Sequence, residues 1–202
     1  MKNNNVDTAA FLNPEEQATL REIARETLEY FVGQGEMLDL QGYRLSDNLQ
    51  ADGAAFVTLR YQDALRGCIG HTRFLQPLVH SVRENTVNAA ARDPRFGPLT
   101  AQEVSGTRIE ISVLCPGESP DTPFIEVHDP NEIVIGRDGL YLAGAGPRGG
   151  GLLLPQVPVE QGWDQQQFLE ALCRKAGAVG HAWEQPESKL FRFSVQVIRE
   201  ET

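Results

Sequence analysis

Cysteine is scarce in this chain: Cys68, Cys115 and Cys173 are the three among 202 residues, and they lie far apart. An odd count with no close pair excludes a disulfide framework or a zinc knuckle, so all three are expected as free thiols. Long apolar runs are also missing. No stretch approaches the about 20 apolar residues of a membrane-spanning helix, and the opening MKNNNVDTAAF has no apolar segment behind Lys2. The expectation is a soluble, cytoplasmic protein with no membrane association. Positive charge is in deficit too. Eighteen Lys and Arg face 28 Asp and Glu, a formal charge of −10, which repels phosphate backbones and speaks against general nucleic-acid binding.

What is present is ordinary for a folded domain. Apolar residues make up 41% and charged residues 23% of the chain, and a chain of this length buries roughly 70% of its unfolded surface without staples. The charge, however, is uneven. Between Arg60 and Arg95 six arginines (60, 66, 73, 83, 92 and 95) face three acids, Asp63, Glu84 and Asp93. Such a basic island suits a small anionic group, and it is equally what arginines solvating one helix and one hairpin look like.

Periodicity places the main elements. Leu20, Ile23, Ala24, Thr27, Leu28, Phe31 and Val32 form one apolar stripe, predicting a helix over 14–32 with Asn13 as cap, Pro14 in the first turn, Glu16 closing a capping box and Gly33 as the stop. A second helix is predicted from about Gln76 to Ala91, ending before Asp93-Pro94. A third runs from its cap at Asp164 to Gly177, with Gln167 at the capping-box position. Alternation marks Val57, Leu59 and Tyr61 as a strand turning through Gln62-Asp63 into the segment that holds Cys68, and Ile109, Ile111 and Val113 as another. Phe191, Phe193, Val195 and Val197 read as one further strand, and a hairpin is predicted from Ile133 to Leu142 around Gly136–Gly139. Helices and strands come in separated runs. The fold class is therefore α+β, a mainly antiparallel sheet flanked by helices. The segment Pro116–Pro130 reads as a long surface connection into a smaller part of the molecule.

The most unusual stretch is Leu65-Arg66-Gly67-Cys68-Ile69-Gly70-His71, where two glycines bracket a cysteine in a strand. Glycine inside a strand costs stability unless the backbone bends or something approaches closely. Cys68 is a candidate nucleophile, since nearby cations raise a thiolate fraction and Arg66, His71 and Arg73 are close in sequence. It is also the type of residue that simply packs in a tight sheet. Alternation puts Cys68 on one face with Arg66 and Gly70, away from His71, a weaker candidate for assisting it. Arg92-Asp93-Pro94-Arg95 stands as a helix stop with a surface ion pair, or as an anion clamp in which Arg92 or Arg95 faces Cys68.

Other motifs carry less. Gly144-Ala145-Gly146-Pro147-Arg148-Gly149 matches the spacing of a dinucleotide fingerprint, but a strand follows where that fingerprint needs a helix N-terminus, so a hairpin turn is expected. The four histidines (71, 80, 128 and 181) show no ligand spacing, and no nucleophile elbow occurs; no metal or other cofactor is expected. Trp163 and Trp183 flank the third helix and are expected to pack against a sheet.

LRGCIG (65–70), ARDPRF (91–96), LLPQV (153–157), QGWD (161–164) and LCRKAG (172–177), in this order, resemble the AMMECR-type domain over roughly residues 15–198. A free-standing domain of this type is similar to the A component of the bacterial AmmeMemoRadiSam system. The resemblance implies a single α+β domain over 1–202 in two unequal parts, the larger holding both chain ends and the smaller roughly 116–160, with LRGCIG near the cleft between them. It implies a Memo-like protein and a radical SAM protein as companions, and no established reaction. Where many relatives place a small or hydroxyl residue after the motif, this chain has His71, followed by Arg73.

Two functions follow as expectations. One is cysteine-dependent chemistry on a small anionic ligand, with Cys68 as nucleophile and Arg66, Gly67, Gly70, Arg92, Asp93 and Arg95 forming the ligand site. The other is a non-catalytic adaptor or ligand-binding module in which Cys68 only packs. RNA binding through the arginine island is the least favoured.

Overall fold

A computed structural model describes residues 11–200 of the chain. The residues MKNNNVDTAA, read above for a leader, lie outside this range. The chain divides into two compact units, one running up to Val113 and resuming at Gln196, the other spanning Leu114–Val195. The second unit extends well past the 116–160 expected for the smaller part, because a helix and a strand beyond residue 160 complete its core.

The first unit contains α1 (Pro14–Gln34), α2 (Asp47–Gln50), β1 (Ala55–Tyr61), β2 (Ala64–Gly70), α3 (Leu78–Ala91), α4 (Ala101–Val104) and β3 (Thr107–Leu114). The second holds β4 (Ile125–Glu126), β5 (Gly139–Ala143), β6 (Gly150–Leu153), α5 (Gln156–Gln161), α6 (Gln165–Ala176) and β7 (Lys189–Phe193). A last strand, β8 (Val195–Arg199), returns the chain to the first unit. Each unit is built on a four-stranded sheet, ordered β2-β1-β3-β8 in the first and β4-β7-β5-β6 in the second. The α+β class with antiparallel pairing is therefore as the sequence indicates.

Apolar periodicity explains both cores. Leu20, Ile23, Ala24 and Leu28 of α1 and Val79 and Val82 of α3 are fully buried with Val57 and Leu59 of β1 and Ile111 and Val113 of β3. In the second unit Phe168, Leu169 and Leu172 of α6 pack with Leu140 and Leu142 of β5 and Leu190 of β7. Trp163 and Trp183 are half-buried against this same cluster.

Local signals hold at some helix ends and fail at others. The Asn13–Glu16 capping box is present, reinforced by the Ser46 hydroxyl, which donates to Glu16 at 2.7 Å. The stop is Gly35, not Gly33. Its N–H bonds Phe31 O from a left-handed φ of 77°, while Gly33 stays helical. The second helix starts two residues late, at Leu78, with Pro77 as a cap that offers no side-chain bond. The third is capped at Asp164 and ends on Gly177 as its sequence indicates.

Two strand readings need correction. The alternation from Phe191 to Val197 belongs to two strands in two different sheets, with Ser194 between them. Nor is 133–142 a hairpin. The buried Asp138 carboxylate instead folds this stretch into a turn by accepting the Val134 N–H at 2.8 Å and both ends of the Arg137 fork. The hairpin partner of β5 is β6, joined through the glycine-rich loop 144–149.

Candidate functional site

The hairpin β1–β2 turns tightly at Gln62 and Asp63, both at positive φ. It leaves β2 at the edge of its sheet, paired among the described residues with β1 alone. An edge strand exposes backbone donors and acceptors that must be satisfied elsewhere. At Cys68 they are met by side chains. The Cys68 N–H donates to Asp93 Oδ2 at 2.9 Å, and Arg95 Nη2 reaches the Cys68 carbonyl at a longer 3.4 Å. The pair thus presents to the strand an acceptor and a donor, as a neighbouring strand would.

Asp93 is only 3% exposed, yet its charge is well compensated. Arg95 donates to it through Nε at 2.9 Å, Nη2 at 2.6 Å and its backbone N–H at 3.1 Å. These bonds, led by the Arg95 guanidinium and opposed by burial, hold the Asp93 carboxyl down to about 2. Arg95 is raised in turn, chiefly by Asp93, with negative charge on Cys68 contributing in the same direction. The Arg95 side chain is 47% exposed and its Nη1 takes no bond among the described residues, so one donor edge of the fork stays open.

The glycines around Cys68 have packing reasons. A Cβ on Gly67 would lie 2.1 Å from the Ala89 carbonyl oxygen, so only glycine lets α3 approach β2 this closely. At Gly70 a Cβ would meet the Phe56 ring at 2.2 Å. Cys68 faces away from α3. Opposite it on β1 lies Thr58, whose hydroxyl donates to the Cys68 sulfur at 3.3 Å, and Cys68 as a residue is half-buried.

Arg66 departs from the expected alternation. Leu59 pairs with Gly67 and Arg60 with Leu65, so Arg66 is an extra residue in a bulge. Its fork is spent on Glu103 at 2.7 and 3.2 Å and on the carbonyls of Gly97 and Pro98 at 2.9 and 3.1 Å. Glu103 is thereby lowered to about 2, mainly by the Arg66 bonds. Arg66 and Arg95 flank the Phe96 ring at 6.0 and 5.5 Å. The guanidinium of the exposed Arg92 bonds Asn88 Oδ1 at 3.1 Å. His71 lies on the α3 face of β2, against Ser81 and Asn85, and not beside Cys68.

The structure therefore gathers Cys68, Asp93 and Arg95, turns Arg66 to Glu103, and leaves His71 on the far face. Thr58 and Glu103 were not singled out from sequence. Thr100-x-x-Glu103 is a capping-box spacing that flags Glu103. Thr58 is hidden by the bulge, since a regular two-residue hairpin would pair it with Gly67. Cys68 and Cys115 are half-buried and Cys173 is buried, all as free thiols. Among the described residues no group of three His, Cys, Asp or Glu side chains could hold a metal ion.

The sequence profile of the family described as AMMECR1 matches residues 21–198. This chain belongs to the AMMECR1 family. It is 39% identical to a Thermococcus gammatolerans protein, over 89% of this chain and 87% of that one. Protein MJ0810 of Methanocaldococcus jannaschii is 38% identical over 88% of this chain and 86% of its own. The crystal structure of the uncharacterized protein PH0010 from Pyrococcus horikoshii superposes with a TM-score of 0.85 at 33% identity, covering 95% of this chain and 94% of that one. The family assignment agrees with the LRGCIG and ARDPRF stretches that meet at Cys68.

Proposed function

We propose that this AMMECR1-family chain is a component of an AmmeMemoRadiSam-type system, working with a Memo-like protein and a radical SAM protein, and that its chemistry centres on Cys68. The observation that carries this reading is the Asp93–Arg95 pair, which fixes the Cys68 backbone while Arg95 Nη1 stays open. A small anionic ligand, carboxylate or phosphate, would take that Nη1 donor beside the Cys68 sulfur, with the exposed Arg92 as a second cation near it in sequence. The thiolate would act as nucleophile by adding to a carbonyl carbon of that ligand, the C=O π pair moving onto its oxygen as the C–S bond forms, and Thr58 would hold the sulfur by its hydroxyl before attack. A cytoplasmic setting accords with three thiols left free. No helix among the described residues is long and apolar enough to cross a membrane.

The adaptor reading draws on a different observation: Arg66 and Arg95 are already paired with Glu103 and Asp93, so much of the basic island is neutralised internally. The two readings separate on a Cys68→Ala variant assayed with the reconstituted partners. Loss of the system's activity with fold and partner affinity intact supports cysteine chemistry. Full activity in that variant would leave the adaptor.

A further inference from the structure

Where the chain leaves β2 for α3, the first unit carries a hollow of about 360 Å³ lined by Gly70, His71, Thr72, Arg73, Leu75, Gln76 and Glu84. Its volume is in the range that small-molecule sites occupy. Two opposite charges stand on its wall without pairing to each other. Arg73 is exposed and takes no bond from any described residue. Glu84 accepts from Gln76 Nε2 at 3.0 Å through Oε2, and its Oε1 takes no bond among the described residues.

His71 adds a donor whose direction is set by its surroundings. Three groups converge on its Nδ1: Asn85 Nδ2 at 3.0 Å, Ser81 Oγ at 3.1 Å and Gln76 Nε2 at 3.2 Å. Neither amide can be turned to offer oxygen instead. The Asn85 nitrogen also donates to the Ala55 carbonyl at 3.2 Å, and the Gln76 nitrogen to the Glu84 carboxylate, so reversal would set acceptor against acceptor at both. Ser81 Oγ accepts the Ala55 N–H at 3.2 Å, leaving its own proton for the ring. Nδ1 is therefore the acceptor and the ring proton sits on Nε2. Ser81 and Asn85, both fully buried, hold the Nδ1 edge, so Nε2–H is the ring donor left for a ligand at this hollow-lining histidine.

A simple anion in this hollow would face the Glu84 carboxylate, and a simple cation would face Arg73. A molecule carrying both charges satisfies both. We propose that the hollow binds a small zwitterion of the α-amino acid type, its carboxylate on the Arg73 guanidinium and the His71 Nε2–H and its ammonium on the Glu84 carboxylate. Leu75, 75% exposed on the same wall, gives an apolar surface for the ligand's side chain. The charged groups of this site, Arg73 and Glu84, are none of those that hold Cys68, so it stands or falls separately.

The test is thermal unfolding of the full chain with each standard L-amino acid in turn at millimolar concentration, followed by calorimetric titration of the strongest binder. At least one amino acid is expected to raise the unfolding midpoint. Its analogue without the amine and its analogue without the carboxylate are each expected to bind at least about tenfold more weakly. Arg73→Gln and Glu84→Gln should each lose the binding, whereas Cys68→Ala should keep it. Arg73 has no partner to lose, so Arg73→Gln is the variant certain to test binding apart from folding. No shift with any amino acid, equal binding of the amine-free acid, or binding that survives Arg73→Gln would overturn the assignment.

Discussion

Asp93 accepts the backbone N–H of Cys68 at 2.9 Å, so a buried carboxylate completes the open edge of a sheet where another strand would otherwise lie. The ARDPRF segment thus ends α3 and also holds the LRGCIG strand. Arg95 serves both tasks, neutralising Asp93 and reaching back to the Cys68 carbonyl.

Acid should weaken this clamp in a defined window. Asp93 and Glu103 are both held down to about 2 in the folded chain, against about 4 in an unfolded one. A depressed folded value contributes stability that is complete above the unfolded value and is lost as pH falls through the folded one. Urea unfolding between pH 6 and 2 should show stability falling from about pH 4 downward. Asp93→Asn should flatten that fall by about 2 kcal/mol while lowering stability at neutral pH. An unchanged slope would mean that Asp93 is not charged in the folded state.

Glycine at position 67 should be more stringent than at 70. An added Cβ at 67 meets the Ala89 backbone carbonyl at 2.1 Å, which cannot move without shifting α3, whereas at 70 the two nearest atoms belong to the Phe56 ring and the Phe56 Cα follows at 2.7 Å. Gly67→Ala should therefore destabilise by about 2 kcal/mol or more. Gly70→Ala should be relieved in part when Phe56→Ala is added. Denaturant titration of the two single variants and the double variant checks both statements. A neutral Gly67→Ala would refute the close approach of β2 and α3.

Thr58→Val keeps shape and removes the hydroxyl that faces the Cys68 sulfur. A donated hydrogen bond favours the thiolate, so at fixed pH near neutrality the Cys68 alkylation rate should drop by roughly threefold, with stability changed by about 1 kcal/mol or less. An unchanged rate would remove Thr58 from the site.

Much of the local structure is legible in the sequence because its causes are local. Asn13 and Glu16, and Asp164 with Gln167 and Gly177, fix helix ends by bonds to backbone groups within one turn. Alternation similarly announces β1, β3 and the α+β class. What sequence reasoning missed depends on distant parts of the chain. The bulge at Arg66 exists because its guanidinium meets Glu103 and the Gly97 and Pro98 carbonyls, about thirty residues on. It changes the register, placing Thr58 rather than Val57 across from Cys68. The strand from Phe191 to Val197 keeps one alternation through two sheets, since periodicity reports the face of a residue and not the sheet it belongs to. Asp93 reads from sequence as an acid between two bases. Its partnership with the Cys68 N–H appears only when the edge of β2 is placed against the turn after α3.

An anion at Arg95 Nη1 would stand beside the sulfur, so inorganic phosphate should slow alkylation of Cys68 and leave Cys115 unaffected. Arg95→Gln should abolish that protection. Equal slowing at both thiols would indicate an ionic-strength effect instead.

The most direct test of the cysteine-centred account is the alkylation rate of each thiol across pH, followed by mass spectrometry of the intact folded chain. Cys68 is predicted to react faster than glutathione below pH 8, with Cys115 and Cys173 slower than Cys68. A Cys68 rate equal to or below that of glutathione throughout this range would contradict the account.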